Sequence, residues 1–292
     1  MASRAVVLGG GGPVGVAWES GLAAGLEEEG VDVSAADLFV GTSAGSVVGA
    51  QLALGRAPKE LYTRQLEPAE PGRRSGTPVD MSALIAHFVK LYTSDRPQQE
   101  LLAELGAFAL AAETMTEEEW IAGFALLEAP SDHWPERDFK CTAVDASDGS
   151  FVVWDRKSAV PLRLAVASSC AVPGIYPPVT INGRRYMDGG VRSTTSADIA
   201  EGSGKVLVVS VIGGVTAPRP QTAEARRARF DREIEGLRAA GSEVEVITPD
   251  EEFARAMGLN LMDFTKRREA ADLGYRQGAI EGARLREFWR DG

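Results

Sequence analysis

Short apolar runs alternate with longer stretches of helical periodicity along this chain. Arg4-Ala-Val-Val-Leu8 is continuously apolar, the pattern of a strand buried on both faces of a parallel sheet. A helical pattern follows from about Val16 to Glu29. A second apolar run, Leu38-Phe-Val40, leads into another helical pattern, Ala44 to Leu54. Pro58 to about Leu66 reads as a short helix, and 67–77, rich in Pro, Gly and Arg, as a surface loop. Three helical patterns come next, about Met81–Tyr92, Gln98–Ala112 and Glu117–Leu127, with little strand signal among them. They predict a helical insertion over the sheet, about residues 80–130.

Strand character returns at Phe139–Ala146 and Phe151–Trp154, separated by a Ser147-Asp-Gly-Ser150 turn. Pro161 opens a helical pattern, Leu162–Cys170. Val179 to Met187 is broken at Asn182-Gly183, a pair suited to a type I′ hairpin. Lys205–Ile212 and Glu243–Ile247 read as further strands, and Thr222–Ala240 and Leu261–Trp289 as helices. With no repeat and no linker, the expectation is one α/β domain over residues 1–292, with a C-terminal helical extension from about 220.

Two glycine-rich turns sit where strands pass into helices. The first, Gly9-Gly-Gly-Gly-Pro-Val-Gly15, puts consecutive backbone N–H groups at a helix start, which makes an anion site. Its Gly10-x-Gly12-x-x-Gly15 spacing also fits a dinucleotide fingerprint. That reading needs a second strand ending in an acidic residue, and the next convincing strand delivers a serine instead. The serine is Ser43 of Gly41-Thr-Ser-Ala-Gly45, a Gly-x-Ser-x-Gly turn. Gly41 and Gly45 let strand and helix pass close together around an exposed, strained nucleophile.

A serine needs a base. The chain has two histidines, His87 and His133, both in the helical insertion or its exit loop, and neither follows the order expected of a triad. Asp188, ahead of Gly189 and Gly190, is the alternative base. An aspartate can take a serine proton only in a desolvated site, with the oxyanion stabilised at once. The N–H groups of Gly10, Gly11 and Gly12 would supply that oxyanion hole. No metal and no cofactor is implied.

Composition narrows the partners. A net charge of −11 leaves no basic field for nucleic acid and argues against a polybasic membrane patch, while allowing transient contact with a membrane or micelle through an apolar rim. Cys141 and Cys170 lie in apolar strings, expected to be buried free thiols. No apolar run approaches the ~20 residues that span a bilayer, and no signal-peptide pattern opens the chain, so a cytoplasmic location is expected.

The three motifs, Gly10-Gly-Gly-Pro-Val-Gly15, Gly41-Thr-Ser-Ala-Gly45 and Asp188-Gly-Gly190, in that order, resemble the patatin-like phospholipase family. The strings Ala167-Ser-Ser-Cys-Ala-Val-Pro-Gly174 and Tyr186-Met-Asp-Gly-Gly-Val-Arg192 resemble it too, so the likeness covers about residues 4–212. The resemblance implies a three-layer α/β/α fold with a mostly parallel central sheet. It also implies a Ser43–Asp188 dyad acting on fatty-acyl esters of lipids, as a phospholipase A or lysophospholipase does; the helical insertion, read from its own pattern, is a candidate lid or acyl-chain wall. One departure is Val14, where the family usually carries Arg or Lys, so a less charged ester becomes a stronger candidate. The alternatives are a general carboxylesterase or thioesterase, and a non-catalytic acyl-lipid or nucleotide-binding protein.

Overall fold

A computed structural model describes residues 3–68, 81–127, 133–214, 220–258 and 260–290. In chain order, β1 (Arg4–Leu8) leads to α1 (Gly12–Glu28), and β2 (Leu38–Gly41) to α2 (Ala44–Ala53) and α3 (Pro58–Leu66). Most of the loop expected over 67–77 lies outside the described residues. The insertion supplies α4 (Met81–Thr93), α5 (Gln98–Ala111) and α6 (Glu117–Ala122). Then come β3 (Asp138–Asp145), β4 (Phe151–Trp154), α7 (Leu162–Ser169), β5 (Val179–Ile181) and β6 (Arg184–Asp188). Finally β7 (Lys205–Val209), α8 (Pro220–Ala239), β8 (Glu243–Ile247), α9 (Glu251–Met257) and α10 (Arg267–Trp289) close the chain.

The strands form one sheet in the order β5-β6-β3-β2-β1-β7-β8, with β4 also paired to β3. Pairs from β3 through β2, β1 and β7 to β8 are parallel; β4, β5 and β6 attach antiparallel. Helices cover both faces, which is the α/β/α arrangement. Alternation along β1 shows it: Val6 and Leu8 join the core beneath α1, α2, α7 and α10, whereas Ala5 and Val7 pack with Ile234 and Leu237 of α8. The insertion divides between the faces. Leu84, Leu91 and Leu105 of α4 and α5 meet Val144 and Met187, while Trp120 of α6 stacks on Tyr176 and donates to the Ala167 carbonyl at the end of α7.

Several boundaries differ from the sequence expectation for local reasons. Helix α1 begins at Gly12 because Pro13 fits a first helical turn, where no N–H partner is needed. Strand β7 ends at Val209; the next residue's N–H bonds to Ile247, and Val211 leaves the sheet to pack under the glycine loop. The last helix starts at Arg267, since Asp263 caps a separate 3-10 turn at Phe264–Lys266. The hairpin turn is as expected, with positive φ at Asn182 (50°) and Gly183 (79°).

Candidate active site

Register decides how the motifs meet. Gly41 ends β2 opposite Cys141, whereas Asp188 ends β6 opposite Ala143, two residues further along β3. The carboxylate therefore emerges just beyond the edge where β2 turns. Strand β3 separates the two, and the chain crosses over it by a 3-10 turn, Gly189–Val191. A Cβ on Gly189 would overlap Thr142, so only glycine permits that crossing.

Ser43 sits in the turn between β2 and α2 with φ 52° and ψ −118°, a strained conformation for a residue with a side chain. Cβ atoms at Gly41 and Gly45 would overlap the Ser46 and Leu8 backbones, so the turn tolerates neither. The turn is held from behind. Its Ser43 N–H donates to Ser169 Oγ (3.0 Å), and its carbonyl accepts from Ser46 Oγ (2.7 Å) and the Cys170 thiol (3.2 Å). Both cysteines are buried and free, as expected, but Cys170 has this extra contact. Nothing local in Ser168-Ser169-Cys170 signalled the role, because the contact spans 126 residues.

Asp188 is 4 % exposed, and its Oδ1 accepts from the Gly190 N–H at 2.7 Å. Burial pushes its carboxyl up to about 7, against the Ser43 hydroxyl and the Gly190 N–H, which both hold it down. Ser43 is 7 % exposed, and a Cβ on Gly10 would stand 3.4 Å from its own Cβ. Ser43, Asp188 and Gly10, Gly11 and Gly12 line one cavity of about 310 Å³. Ile85, Phe88, Val89, Val191 and Met262 belong to its apolar wall.

The glycine loop differs in detail from expectation. The Gly10 N–H is committed to the Thr194 carbonyl (2.8 Å), so Gly10 shapes the cavity without offering a donor. No backbone bond among the described residues takes the N–H of Gly11 or Gly12. Leu261 covers the start of α1: its carbonyl accepts from the Val14 N–H and would collide with a Cβ on Gly12. Val14 itself is fully buried, so a longer side chain there could not reach the cavity without displacing its neighbours.

Of the other expected residues, Gly15 packs against Ala44, and Gly190 stands beside the Asp188 carboxylate. His87 lies on α4 with its ring 5.0 Å from Phe108, and His133 is exposed; neither lines the cavity. Glu19 of α1 was not singled out by its sequence context. It is buried with neither carboxylate oxygen hydrogen-bonded among the described residues, and burial raises its pKa well above the usual range. Among the described residues there is no cluster able to hold a metal ion.

A sequence model of the patatin-like phospholipase family matches residues 6–201, more than half of the chain. The chain belongs to the patatin-like phospholipase family. As a member it is a lipid acyl-ester hydrolase. Its sequence has no significant match among curated proteins. Among solved structures the chain is similar to VipD from Legionella pneumophila (15 % identity, TM-score 0.46) and to the type III effector ExoU (17 % identity, TM-score 0.39). The alignments cover 97 % and 98 % of this chain, but 67 % of VipD and 53 % of ExoU. ExoU from Pseudomonas aeruginosa in complex with SpcU gives a TM-score of 0.35 at 15 % identity, with 95 % of this chain and 53 % of that one covered. Among the described residues of this patatin-like protein, no helix is long and apolar enough to cross a membrane.

Proposed function

We propose that this protein cleaves fatty-acyl esters of lipids, as a phospholipase A or lysophospholipase does, with Ser43 as nucleophile and Asp188 as its base. One observation carries the reading: a strained serine and a buried aspartate poised near neutral pH share an apolar, chain-sized cavity. Ser43 Oγ attacks the ester carbonyl carbon while its proton passes to the Asp188 carboxylate. The Gly11 and Gly12 N–H groups receive the oxyanion at the positive end of α1. Collapse breaks the ester C–O bond, and the Asp188 proton goes to the departing alcohol oxygen. Water then attacks the acyl-serine with Asp188 again as base, releasing the fatty acid and restoring the serine.

The raised carboxyl is what makes an aspartate adequate. At its ordinary pKa near 4 it would be too weak a base for a serine; at about 7 it stands far closer to the proton it must take. The apolar wall favours a lipid chain over the nucleotide of a pure binding protein. A specialist for short-chain esters would have little use for that wall.

A fluorophosphonate probe should label Ser43, and Ser43→Ala should abolish hydrolysis of a p-nitrophenyl ester and of a lipid panel read by mass spectrometry. Labelling at Ser168 or Ser169, both buried behind the turn, would overturn the assignment.

A further inference from the structure

The chain that leaves Asp188 does more than cross β3. Residues 189–197 run back past the glycine loop and the nucleophile turn, and two successive carbonyls touch both. The Thr194 carbonyl accepts from the Gly10 N–H at 2.8 Å, and the Thr195 carbonyl accepts from Thr42 Oγ1 at 3.3 Å. Thr42 immediately precedes Ser43 and is fully buried. Having given its proton to Thr195, its hydroxyl accepts from Thr142 Oγ1 at 2.9 Å. One strap therefore carries Asp188 at its start and touches both the glycine loop and the serine turn near its end.

The strap is itself strained. Ser196 has φ 53° and ψ 42°, a left-handed conformation uncommon for a residue with a side chain. The bond from Thr42 to Thr195 thus joins the neighbours of two residues with positive φ, Ser43 and Ser196. Such conformations persist only where their surroundings over-determine them. Glu233 of α8 does this for Ser196. Its Oε2 accepts from Thr195 Oγ1 at 3.0 Å and from the Ala197 N–H at 3.1 Å, one donor on either side of the strained residue. Ser193 Oγ accepts from the Ser196 N–H at 2.8 Å. Thr195 is fully buried, so a hydroxyl that lost Glu233 would have no solvent to replace it. The strap is stapled separately by Arg192, which donates to both Asp198 oxygens at 2.7 and 2.6 Å. Losing the Glu233 contact would therefore shift the strap, not release it.

We propose that Glu233 and Thr195 are positioning residues for ester hydrolysis: by fixing the strap to α8 they aim the Thr194 and Thr195 carbonyls, and so hold the glycine loop and Ser43 in register. Neither side chain lines the cavity, so both act through the backbone that does. The proposal rests on the hydrolase reading and adds to it an anchor on α8 that none of the three motifs contains. A displacement of about 1 Å at the reacting atoms is enough to cost about a hundredfold in rate. Substrate affinity, set by the cavity wall, should not follow.

The test measures kcat and KM of the full chain on a soluble p-nitrophenyl ester. Sites are counted by the end point of fluorophosphonate labelling, and folding is checked by circular dichroism. Thr195→Val removes one hydroxyl and keeps the shape; kcat should fall about ten- to a hundredfold with KM within about twofold. The labelling rate should fall with kcat while its end point holds. Thr195→Ser, which keeps the hydroxyl, should retain most of kcat. Glu233→Ala should lose at least as much as Thr195→Val, and Glu233→Gln should lose less, because the amide oxygen still accepts. Should Glu233→Ala not fold, the two threonine variants carry the test. Near-normal kcat in folded Thr195→Val, a loss confined to KM, or Thr195→Ser no better than Thr195→Val would refute the positioning role. A wild type that neither labels nor turns over would overturn the hydrolase reading and this proposal with it. An active wild type with unaffected variants overturns this proposal alone.

Discussion

Asp188 holds its proton more readily than an exposed aspartate, and rate and stability should both report it. The unfolded chain releases this proton near pH 4 and the folded chain near 7. Between those values the folded state binds the extra proton, so the stability from this group is full below about 4 and is lost as pH rises through 7. Catalysis needs the opposite, ionised form. The profile of kcat/KM should therefore climb to a plateau with a midpoint near 7. Asp188→Asn should lower kcat/KM by about 10²–10⁴, the usual loss with a general base. It should also flatten the fall in urea midpoint between pH 5 and pH 8. A midpoint near 4 would mean that burial does not raise this carboxyl, and an acid limb that persists unchanged in Asp188→Asn would mean that it is not the base. The double change His87→Ala/His133→Ala should leave kcat within a few-fold, since neither ring lines the cavity. A large loss in the folded double variant would reinstate a triad.

At the scale of elements, glycines fix how closely backbones approach. Helices α1 and α10 cross where Gly21 faces the Ala271 carbonyl and Gly274 faces the Trp18 carbonyl, with no space for a Cβ on either. The contact anchors α10 to the helix that opens from the glycine loop. Gly274→Ala should cost about 1–3 kcal/mol by urea denaturation, the range of overpacked cores. A variant as stable as wild type would show that the crossing has slack. Strand β1 and the Asn182-Gly183 hairpin were legible because their patterns are local. The start of α10 was not, because the capping aspartate at 263 competes with a continuous helical pattern.

For the whole molecule, the residue at position 14 illustrates how context overrides a motif. Read in sequence, Val14 is a missing charge beside the substrate; in the fold its side chain is buried in the main core and its N–H donates to the Leu261 carbonyl. Val14→Arg should therefore lower the thermal midpoint by several degrees through overpacking, without improving turnover of anionic lipid. Gain of anionic-lipid activity in a protein of unchanged stability would show that the side chain finds the cavity after all.

The sequence alone determined what depends on neighbours in the chain. The strand–turn–helix around Ser43, the glycine loop and the Asp188 turn each announce themselves within a few residues, because Cβ-free positions and apolar periodicity are local signals. Tertiary structure decided everything that depends on register and desolvation. It set Asp188 beyond the end of β2, raised its carboxyl by burial, gave the Gly10 N–H to Thr194, and brought Ser169 and Cys170 behind the nucleophile. It also closed the cavity with residues as distant as Ile85, Arg226 and Met262. Burial and long-range hydrogen bonds arise only when separate segments pack, so no window of sequence contains them.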